Sequence, residues 1–551
     1  MRISCCLALV FVGAMTVSGQ LQTSGNRFFF DQKTGALTSV FREQNQVVVQ
    51  TENHYFLKSR KGDAEAFERD DKVIAAETRD NALLFRCRNA GLPDLEIDKT
   101  WWIDGAYLRR EITFRNLGAE KVFLTTRTRV AFTPEFYQDG YYLGAGYIGP
   151  LTPVPKLTSA RKVTTYKHTT KAMLLYHDSP AGSFAQYRTK LNGRFVYPWW
   201  LSGIPNYIEE ENYLYYHPDG WEMSLGTIDV EARGSFRIED CFVAFAGAWS
   251  QFINEIYTGD PVVHEHLGSL KPGPQWLQDV RTYVYFRNLS DIEKLDLLLK
   301  DGDIMVLTDS LGDWGDYRVW RHDHSNGYTG QRGGKISGQE NREFLARIKA
   351  LSPRVKIGSY MFLNSGMAFS PIVRERPEYF MLKDRQGRDK NLFPGTFVHN
   401  FPTMVNRPGV IDYLVNEVMA GYIDTMGVDF IYLDETKATN LIDWQKMDLV
   451  RDDHWNDFWE SMYHLGKKKD VVMFGNARGN PYHELNFIEA SHQLNPRNWR
   501  EFVGMAMAVA NFVDHRAGGR LCLLYWRDNV DYIDRVLANG FIPALNPFRL
   551  R

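Results

Sequence analysis

The stretch Gly427-Val-Asp-Phe-Ile-Tyr-Leu-Asp-Glu435 decides the fold of the second half of the chain. Residues 428–433 are mostly apolar and rich in β-branched and aromatic side chains, which predicts a short buried strand. The strand ends on two adjacent carboxylates, Asp434 and Glu435. A (β/α)8 barrel carries its catalytic groups at the carboxyl ends of its strands, so the stretch predicts a barrel strand with an acid at the catalytic face.

A second acid follows a second short apolar run, Asn486-Phe-Ile-Glu-Ala490, which ends on Glu489. Two carboxylates on strand ends that share one barrel mouth could flank a single glycosidic bond. Successive side chains on a strand point to opposite sides, so only one of Asp434 and Glu435 faces the mouth, and we favour Asp434. Ordinary structural roles remain open: an ion pair or helix N-cap for Asp434, and a salt bridge for Glu489.

Apolar strands alternate with helical segments after Pro272 and Pro274, which indicates parallel pairing. Eight candidate strands in roughly 270 residues fit a (β/α)8 barrel over 275–551, with a doubly wound open sheet as the alternative. The candidate strands are Thr282–Phe286, Ile304–Thr308, Ile357–Leu363, Phe430–Leu433, Val471–Gly475, Phe487–Ile488, Leu521–Tyr525 and Phe541–Ala544, and the candidate helices are 339–351, 408–426, 453–466, 499–513 and 529–539.

Two connections of the predicted barrel are long, 309–338 and 364–407, and both follow strand carboxyl ends. Long loops in compact domains are usually functional, so we expect both to overhang the catalytic face. The sequence ends at Arg551, directly after the eighth candidate strand. We therefore expect the last helix to come from elsewhere, or the barrel to be incomplete at its carboxyl end.

The first half of the chain predicts an antiparallel β-sandwich over 21–270. Phe28–Phe41 has the pattern strand, glycine turn, strand, and Leu108–Asn116 alternates before a turn at Gly118. Short alternating runs between Gly, Asn and Asp turns are typical of sandwiches. The shift in pattern near Pro272 marks the boundary between the two domains.

The amino terminus has the features of a signal peptide over residues 1–20. A charged start at Arg2 precedes an apolar run from Leu7 to Met15 and small residues, and the run is too short to span a bilayer. We expect a secreted or periplasmic protein without a membrane span after cleavage. The remaining cysteines, Cys87, Cys241 and Cys522, lie too far apart to predict a disulfide framework, and we expect buried thiols.

The polar residues that follow the candidate strands are candidate sugar-binding groups, because sugar hydroxyls need such partners. An ordinary solvated rim would have a similar composition. Aromatic residues make up 14% of the chain and could stack on sugar rings, and we expect this of at least one of Trp314, Trp320, Trp444 and Trp526. The substrate-binding candidates are Asp309, Asp313, Asn364, Glu435, Asn476, Arg478, Trp526 and Asp528.

Other chemistries have weaker support. Gly144–Gly149 matches the sequence motif of a dinucleotide-binding site. Pro150 follows it, however, and the sequence predicts no helix after it, so the required structural context is missing. The pairs His264/His266 and His322/His324 lack a third ligand cluster. With a net charge of −2 and no long basic run, nucleic acid and anionic membranes are not expected partners. We expect a carbohydrate substrate and neither a cofactor nor a metal.

With these features the chain resembles secreted glycoside hydrolases that carry an N-terminal mutarotase-like β-sandwich before a barrel, as in the α-galactosidase (melibiase) and α-glucosidase group. The resemblance implies that Asp434 is the nucleophile and Glu489 the acid/base of a retaining enzyme. Two departures stand out: the group generally has Asp where this chain has Glu489, and Tyr432-Leu-Asp434 replaces its Lys-x-Asp pattern. The motifs Leu-Asp, Asn-x-Arg-Gly and Glu on strands four, five and six also resemble those of α-1,4-polygalactosaminidase-type barrels. The rival interpretations are a non-catalytic carbohydrate-binding barrel and a metal-dependent hydrolase.

Overall fold

The computed structural model describes most of the first half of the chain and the strands and several helices of the second. The described residues are 19–143, 152–153, 159, 161–162, 172–177, 182–196, 214–245, 256, 259–268, 270–271, 273–286, 303–308, 338–368, 371–392, 400–434, 440–475, 482–489, 520–524 and 542–545.

The described residues of the first part of the chain are almost entirely β-strand, as the alternating pattern predicts. One four-residue helix, α1 (Pro134–Tyr137), and a short 3-10 turn at Glu68–Asp70 interrupt the described strands. The strands are β1 (Gln20–Gln22), β2 (Asn26–Phe30), β3 (Leu37–Arg42), β4 (Asn45–Ser59), β5 (Gly62–Phe67), β6 (Asp71–Arg79), β7 (Ala82–Asn89), β8 (Leu95–Asp104), β9 (Tyr107–Asn116), β10 (Val122–Phe132), β11 (Tyr141–Leu143), β12 (Thr152–Pro153), β13 (Arg161–Lys162), β14 (Ala172–Tyr176), β15 (Ser183–Leu191), β16 (Arg194–Phe195), β17 (Tyr215–His217), β18 (Gly220–Val230) and β19 (Ser235–Phe245).

These strands form two large antiparallel sheets. The first has the order β1-β2-β3-β4-β10-β18-β17-β13 with β5 beside β4, and the second has the order β12-β11-β14-β15-β19-β9-β8-β7-β6 with β16 beside β15. The sheets bury their apolar faces against each other: the ring of Phe30 lies 5.0 Å from that of Trp101, and Tyr55 lies 5.9 Å from Phe114. The sandwich architecture is therefore confirmed.

The second part of the chain contains eight strands that pair in parallel and close on themselves, β31 pairing with β20. The open-sheet alternative is therefore wrong. The barrel strands are β20 (Val280–Phe286), β21 (Asp303–Thr308), β22 (Val355–Phe362), β25 (Phe430–Asp434), β28 (Val472–Gly475), β29 (Leu485–Glu489), β30 (Arg520–Leu524) and β31 (Ile542–Leu545), and the short strands beside them are β23 (Ser365–Met367), β24 (Asn400–Pro402), β26 (Leu441–Asp443) and β27 (Asp448–Val450).

Helices are described in three of the connections between barrel strands. One lies between β21 and β22, one continuous helical segment lies between β22 and β25, and one lies between β25 and β28. The segment before β25 ends at Gly427, whose φ of 63° suits a residue without a Cβ. The helices are α2 (Pro261–Gly268), α3 (Gln275–Asp279), α4 (Gly338–Leu351), α5 (Pro371–Glu375), α6 (Val410–Asp412), a π-helical turn (Tyr413–Met419), α7 (Ala420–Met426) and α8 (Asp452–Lys469).

The barrel has two distinct faces, and the strands alternate between them. Tyr283 on β20 and Phe474 on β28 lie on opposite sides of the barrel, yet their rings are only 5.3 Å apart, so both fill the interior. Ile431 and Leu433 face the other way and belong to the core formed with the helices. Interior packing and helix packing together explain why the β25 stretch is apolar on both faces.

Two excursions leave the carboxyl ends of neighbouring strands. The excursion after β22, which we call the strand-three excursion, covers the predicted long loop 364–407 and contains α5 and the antiparallel pair of short strands β23 and β24. The excursion after β25 contains the hairpin of β26 and β27, which we call the strand-four hairpin. Within the described residues, no helix is both long and apolar enough to cross a membrane.

Candidate active site

The two predicted catalytic acids lie at the carboxyl ends of their strands. Asp434 is the last residue of β25, and Glu489 is the last residue of β29, two strands further around the barrel. Leu433 is in register with Gly475, and Gly475 with Asn486. Because side-chain direction alternates along a strand, positions 434 and 489 share one face of the sheet.

That shared face is the barrel interior. Phe474 is in register with Tyr432 on one side and with Leu485 on the other, and its ring contacts Tyr283 across the barrel. Positions 434 and 489 follow Tyr432 and Leu485 by even numbers of residues, so they continue the interior face to the mouth. The backbone thus brings the two positions to the same end and the same face. Their catalytic roles stay a prediction.

Asn364 is the one predicted binding residue whose surroundings the structure describes. It lies two residues beyond β22 and is fully buried. Its backbone carbonyl accepts a hydrogen bond from Thr403 N at 2.8 Å, and the Thr403 hydroxyl donates to Leu363 O at 2.7 Å. These bonds hold the base of the strand-three excursion closed beside the mouth. The backbone of Asn364 therefore has a structural role, and the contact of its side chain with a substrate stays a prediction.

The other predicted binding residues lie outside the described residues, so their placement stays a prediction. The same holds for three of the four tryptophans that we expect to stack on a sugar. The residues concerned are Asp309, Asp313, Glu435, Asn476, Arg478, Trp526, Asp528, Trp314 and Trp320.

Trp444 is described, and its contacts are with protein. It lies in the turn of the strand-four hairpin, with its ring 5.5 Å from Phe123 of the sandwich. The Arg385 guanidinium lies over the same ring at 3.9 Å, a cation–π geometry. Arg60 donates to the Trp444 carbonyl. Trp444 thus joins the sandwich to both excursions of the barrel.

A buried arginine that the sequence did not indicate ties the two excursions together. Arg407 donates to Asp443 Oδ2 at 2.5 Å and to Asp448 Oδ2 at 3.1 Å, both on the strand-four hairpin. It also donates to the carbonyls of Glu378 and Met381 within the strand-three excursion. Asp443 and Asp448 lie 36 and 41 positions after Arg407 in the chain. No local pattern marks such a contact.

The strand-four hairpin is also tied to the sandwich. Asn440 Oδ1 accepts a hydrogen bond from Thr227 N on β18 at 3.1 Å. Ile442 and Leu449 form a small apolar cluster with Phe123 of β10. Asn440 lies only six positions after Asp434 in the chain. The hairpin therefore connects the strand that carries the candidate nucleophile to the N-terminal sheets.

Two buried ionisable groups next to β29 lie away from the mouth. His483 and Glu484 precede β29 at its amino end. Burial raises the pKa of Glu484, while the charge of Lys467 works in the opposite direction. Glu484 Oε2 accepts from Met473 N at 2.9 Å. These contacts anchor the start of β29 and do not belong to the candidate site.

The described residues contain no group of three His, Cys, Asp or Glu side chains that could hold a metal. His264 and His266 lie on α2, where His266 Nε2 is 2.5 Å from the Tyr482 hydroxyl. His322 and His324 lie outside the described residues. Cys87 and Cys241 are buried free thiols, as expected, and burial raises the pKa of both.

No protein-family model matches the chain. A search of curated proteins likewise gives no match. Solved structures do match in fold. An α-N-acetylgalactosaminidase from Bifidobacterium bifidum is 12% identical, with 96% of this chain and 89% of that chain covered and a TM-score of 0.62. A GH36 α-galactosidase from Geobacillus stearothermophilus, in complex with stachyose, is 11% identical, with 97% and 83% covered and a TM-score of 0.55.

Proposed function

We propose that this chain is a secreted or periplasmic glycoside hydrolase of the α-galactosidase type, with a (β/α)8 catalytic barrel behind an N-terminal sandwich. The observation that carries the proposal is the register of β25 and β29, which puts positions 434 and 489 on the interior face at one end of the barrel. The likeness in fold to an α-galactosidase and an α-N-acetylgalactosaminidase supports it. Those names make α-linked galactose and N-acetylgalactosamine the first substrates to test.

The proposed reaction is a double displacement with retention. Asp434 attacks the anomeric carbon, while Glu489 gives a proton to the departing glycosidic oxygen. The resulting glycosyl ester on Asp434 is then hydrolysed by a water that loses its proton to Glu489, which restores both groups. Retention requires a carboxyl separation of about 5–5.5 Å, whereas an inverting pair would be about 6.5–9.5 Å apart.

The test is turnover of aryl α-galactosides and aryl α-N-acetylgalactosaminides by the full chain and its variants. Asp434→Asn should abolish turnover of every substrate, because no covalent intermediate forms without the nucleophile. Glu489→Gln should still form the glycosyl ester from substrates with acidic phenol leaving groups, which depart without a proton, but should hydrolyse that ester slowly because the base is missing, and it should lose turnover of unactivated sugars. Glu417→Gln is the control, since Glu417 is an exposed carboxylate on the helical segment before β25.

The outcomes distinguish the rival interpretations. A protein that binds sugars but turns over none of them would be a non-catalytic carbohydrate-binding barrel. Turnover that survives Asp434→Asn and disappears with a chelator would indicate a metal-dependent hydrolase. Either result would contradict the carboxylate-pair mechanism.

A further inference from the structure

Asn440 has an unusual backbone conformation for a buried residue. Its φ is 62°, in the left-handed region that asparagine tolerates better than most residues with a Cβ. The side chain is 1% exposed, and the backbone N–H donates to Val450 O at 2.7 Å. This conformation aims the Asn440 amide oxygen at Thr227 N–H, 3.1 Å away in the sandwich. We call this hydrogen bond the hairpin–sandwich bond.

The partner of this bond is the backbone N–H of Thr227 on β18, a central strand of the first sheet. The Asn440 oxygen accepts a hydrogen bond from this N–H and so joins the base of the strand-four hairpin to the sandwich.

The rest of the hairpin is held on two sides. Ile442 and Leu449 pack on Phe123 of the sandwich. Arg407 of the strand-three excursion donates a hydrogen bond to the Asp443 carboxylate. Asp443 also accepts from the backbone N–H groups of Gln445 and Lys446, which keeps its carboxylate aligned. Within the described residues, the hairpin–sandwich bond holds a side chain that lies six positions after Asp434.

We propose that Asn440 is a positioning residue for the reaction, acting on the presentation of the acid at position 434 through the strand-four hairpin. This role rests on the proposed function. Catalysis depends steeply on placement: a displacement of about 1 Å can cost about 100-fold in rate. By this route the N-terminal sandwich contributes to turnover without touching the substrate.

The test compares three variants of the full chain. Asn440→Gly keeps the left-handed backbone accessible and removes the accepting oxygen. Asn440→Asp keeps an accepting oxygen at the same place. Asn192→Gly is the matched control, because Asn192 has a φ of 48°, is exposed and lies in the turn between β15 and β16 of the sandwich. The measurements are kcat and KM on an aryl α-galactoside with an acidic phenol, and the melting temperature.

We expect Asn440→Gly to lower kcat about 10- to 100-fold with KM changed less than about 3-fold, because placement and not sugar binding is lost. Asn440→Asp should recover part of kcat, and Asn192→Gly should match the parent chain.

An active parent whose Asn440→Gly variant has the same kcat overturns the positioning role alone. A parent inactive on every glycoside overturns the proposed function, and the positioning role with it. Equal losses of kcat in Asn440→Gly and Asn440→Asp also overturn the role, since the accepting oxygen would then be irrelevant.

Discussion

His483 is a fully buried histidine packed edge-on against Trp459, with ring centroids 5.0 Å apart. Burial lowers its pKa to about 3, because the charged imidazolium loses its hydration. In the unfolded chain the pKa is near 6.5. The unfolded state therefore binds the proton more readily, and the stability from a neutral His483 is fully present above about pH 6.5.

As the pH falls from about 6.5 towards 3, His483 should remove about 1.4 kcal/mol of unfolding free energy per pH unit. His483→Gln removes the titration, so its unfolding free energy should depend less steeply on pH between 6 and 4. Urea unfolding at several pH values measures this slope. His464→Gln is the control, because His464 is 68% exposed. A His483→Gln slope equal to that of the parent would contradict the assignment.

The residues of the candidate site differ in how far the sequence could predict them. Asp434 and Glu489 each end an apolar run, so their positions at strand ends could be predicted from neighbours in the chain. Asn440 and Arg407 could not, because their partners are remote: Thr227 lies 213 positions from Asn440. Hydrogen bonds between distant segments leave no periodic signal in either segment.

At the scale of elements, the packing of β22 against β25 depends on a glycine, which leaves room for a large side chain on the neighbouring strand. Gly358 on β22 is in register with Phe430 on β25, and a Cβ built at Gly358 would overlap the Phe430 ring. The glycine lets a large ring fill the barrel interior at this level. Close packing leaves little room for an added methyl group.

Gly358→Ala should therefore lower the unfolding free energy by about 1–3 kcal/mol, because the Phe430 ring must move from its place. Gly25→Ala is the control, since nothing lies within 4 Å of a Cβ built there. Adding Phe430→Leu to Gly358→Ala should recover part of the loss, which chemical denaturation of the single and double variants would measure. A Gly358→Ala variant as stable as the parent would mean that the barrel interior is not tightly packed at this level.

Elements with strong periodicity were predicted to within a few residues. The predicted strand Phe430–Leu433 is β25, Phe430–Asp434, and the predicted helix 453–466 is α8, Asp452–Lys469. The sequence predicts the strand-three excursion only as a long loop, although it contains an antiparallel pair of three-residue strands. Strands this short depend on each other and on the surrounding core, so their own sequences carry too little pattern to reveal them.

At the scale of the whole molecule, the sandwich and the barrel are joined by charged side chains as well as by the apolar cluster around Phe123. Arg188 of β15 pairs with Asp452 at the start of α8, at 2.5 Å. Arg451 pairs with Asp229 of β18, and Arg194 of β16 pairs with Asp457. The sequence predicts both architectures, but not these ion pairs between them, because each partner alone resembles an ordinary surface charge.

Two of these ion pairs join the same helix to the same part of the sandwich and differ in burial. The side chains of Arg188 and Asp452 are 1% and 2% exposed, whereas those of Arg194 and Asp457 are 49% and 32% exposed. Removing one partner of a buried pair leaves the other charge without compensation, which typically costs about 3–5 kcal/mol. Exposed pairs contribute about 0–1 kcal/mol.

Asp452→Ala should therefore destabilise the protein by about 3–5 kcal/mol and Asp457→Ala by less than about 1 kcal/mol, measured by chemical denaturation. The place of Asp452 in the first turn of α8 accounts for only about 0.3–1 kcal/mol of this difference. The double change Arg188→Met with Asp452→Leu removes both charges together, so it should recover most of the loss.

Equal effects of the two alanine variants would contradict the buried pair. A double variant no better than Asp452→Ala would show that Arg188, through its bond to the Leu225 carbonyl, stabilises the sandwich independently of the barrel.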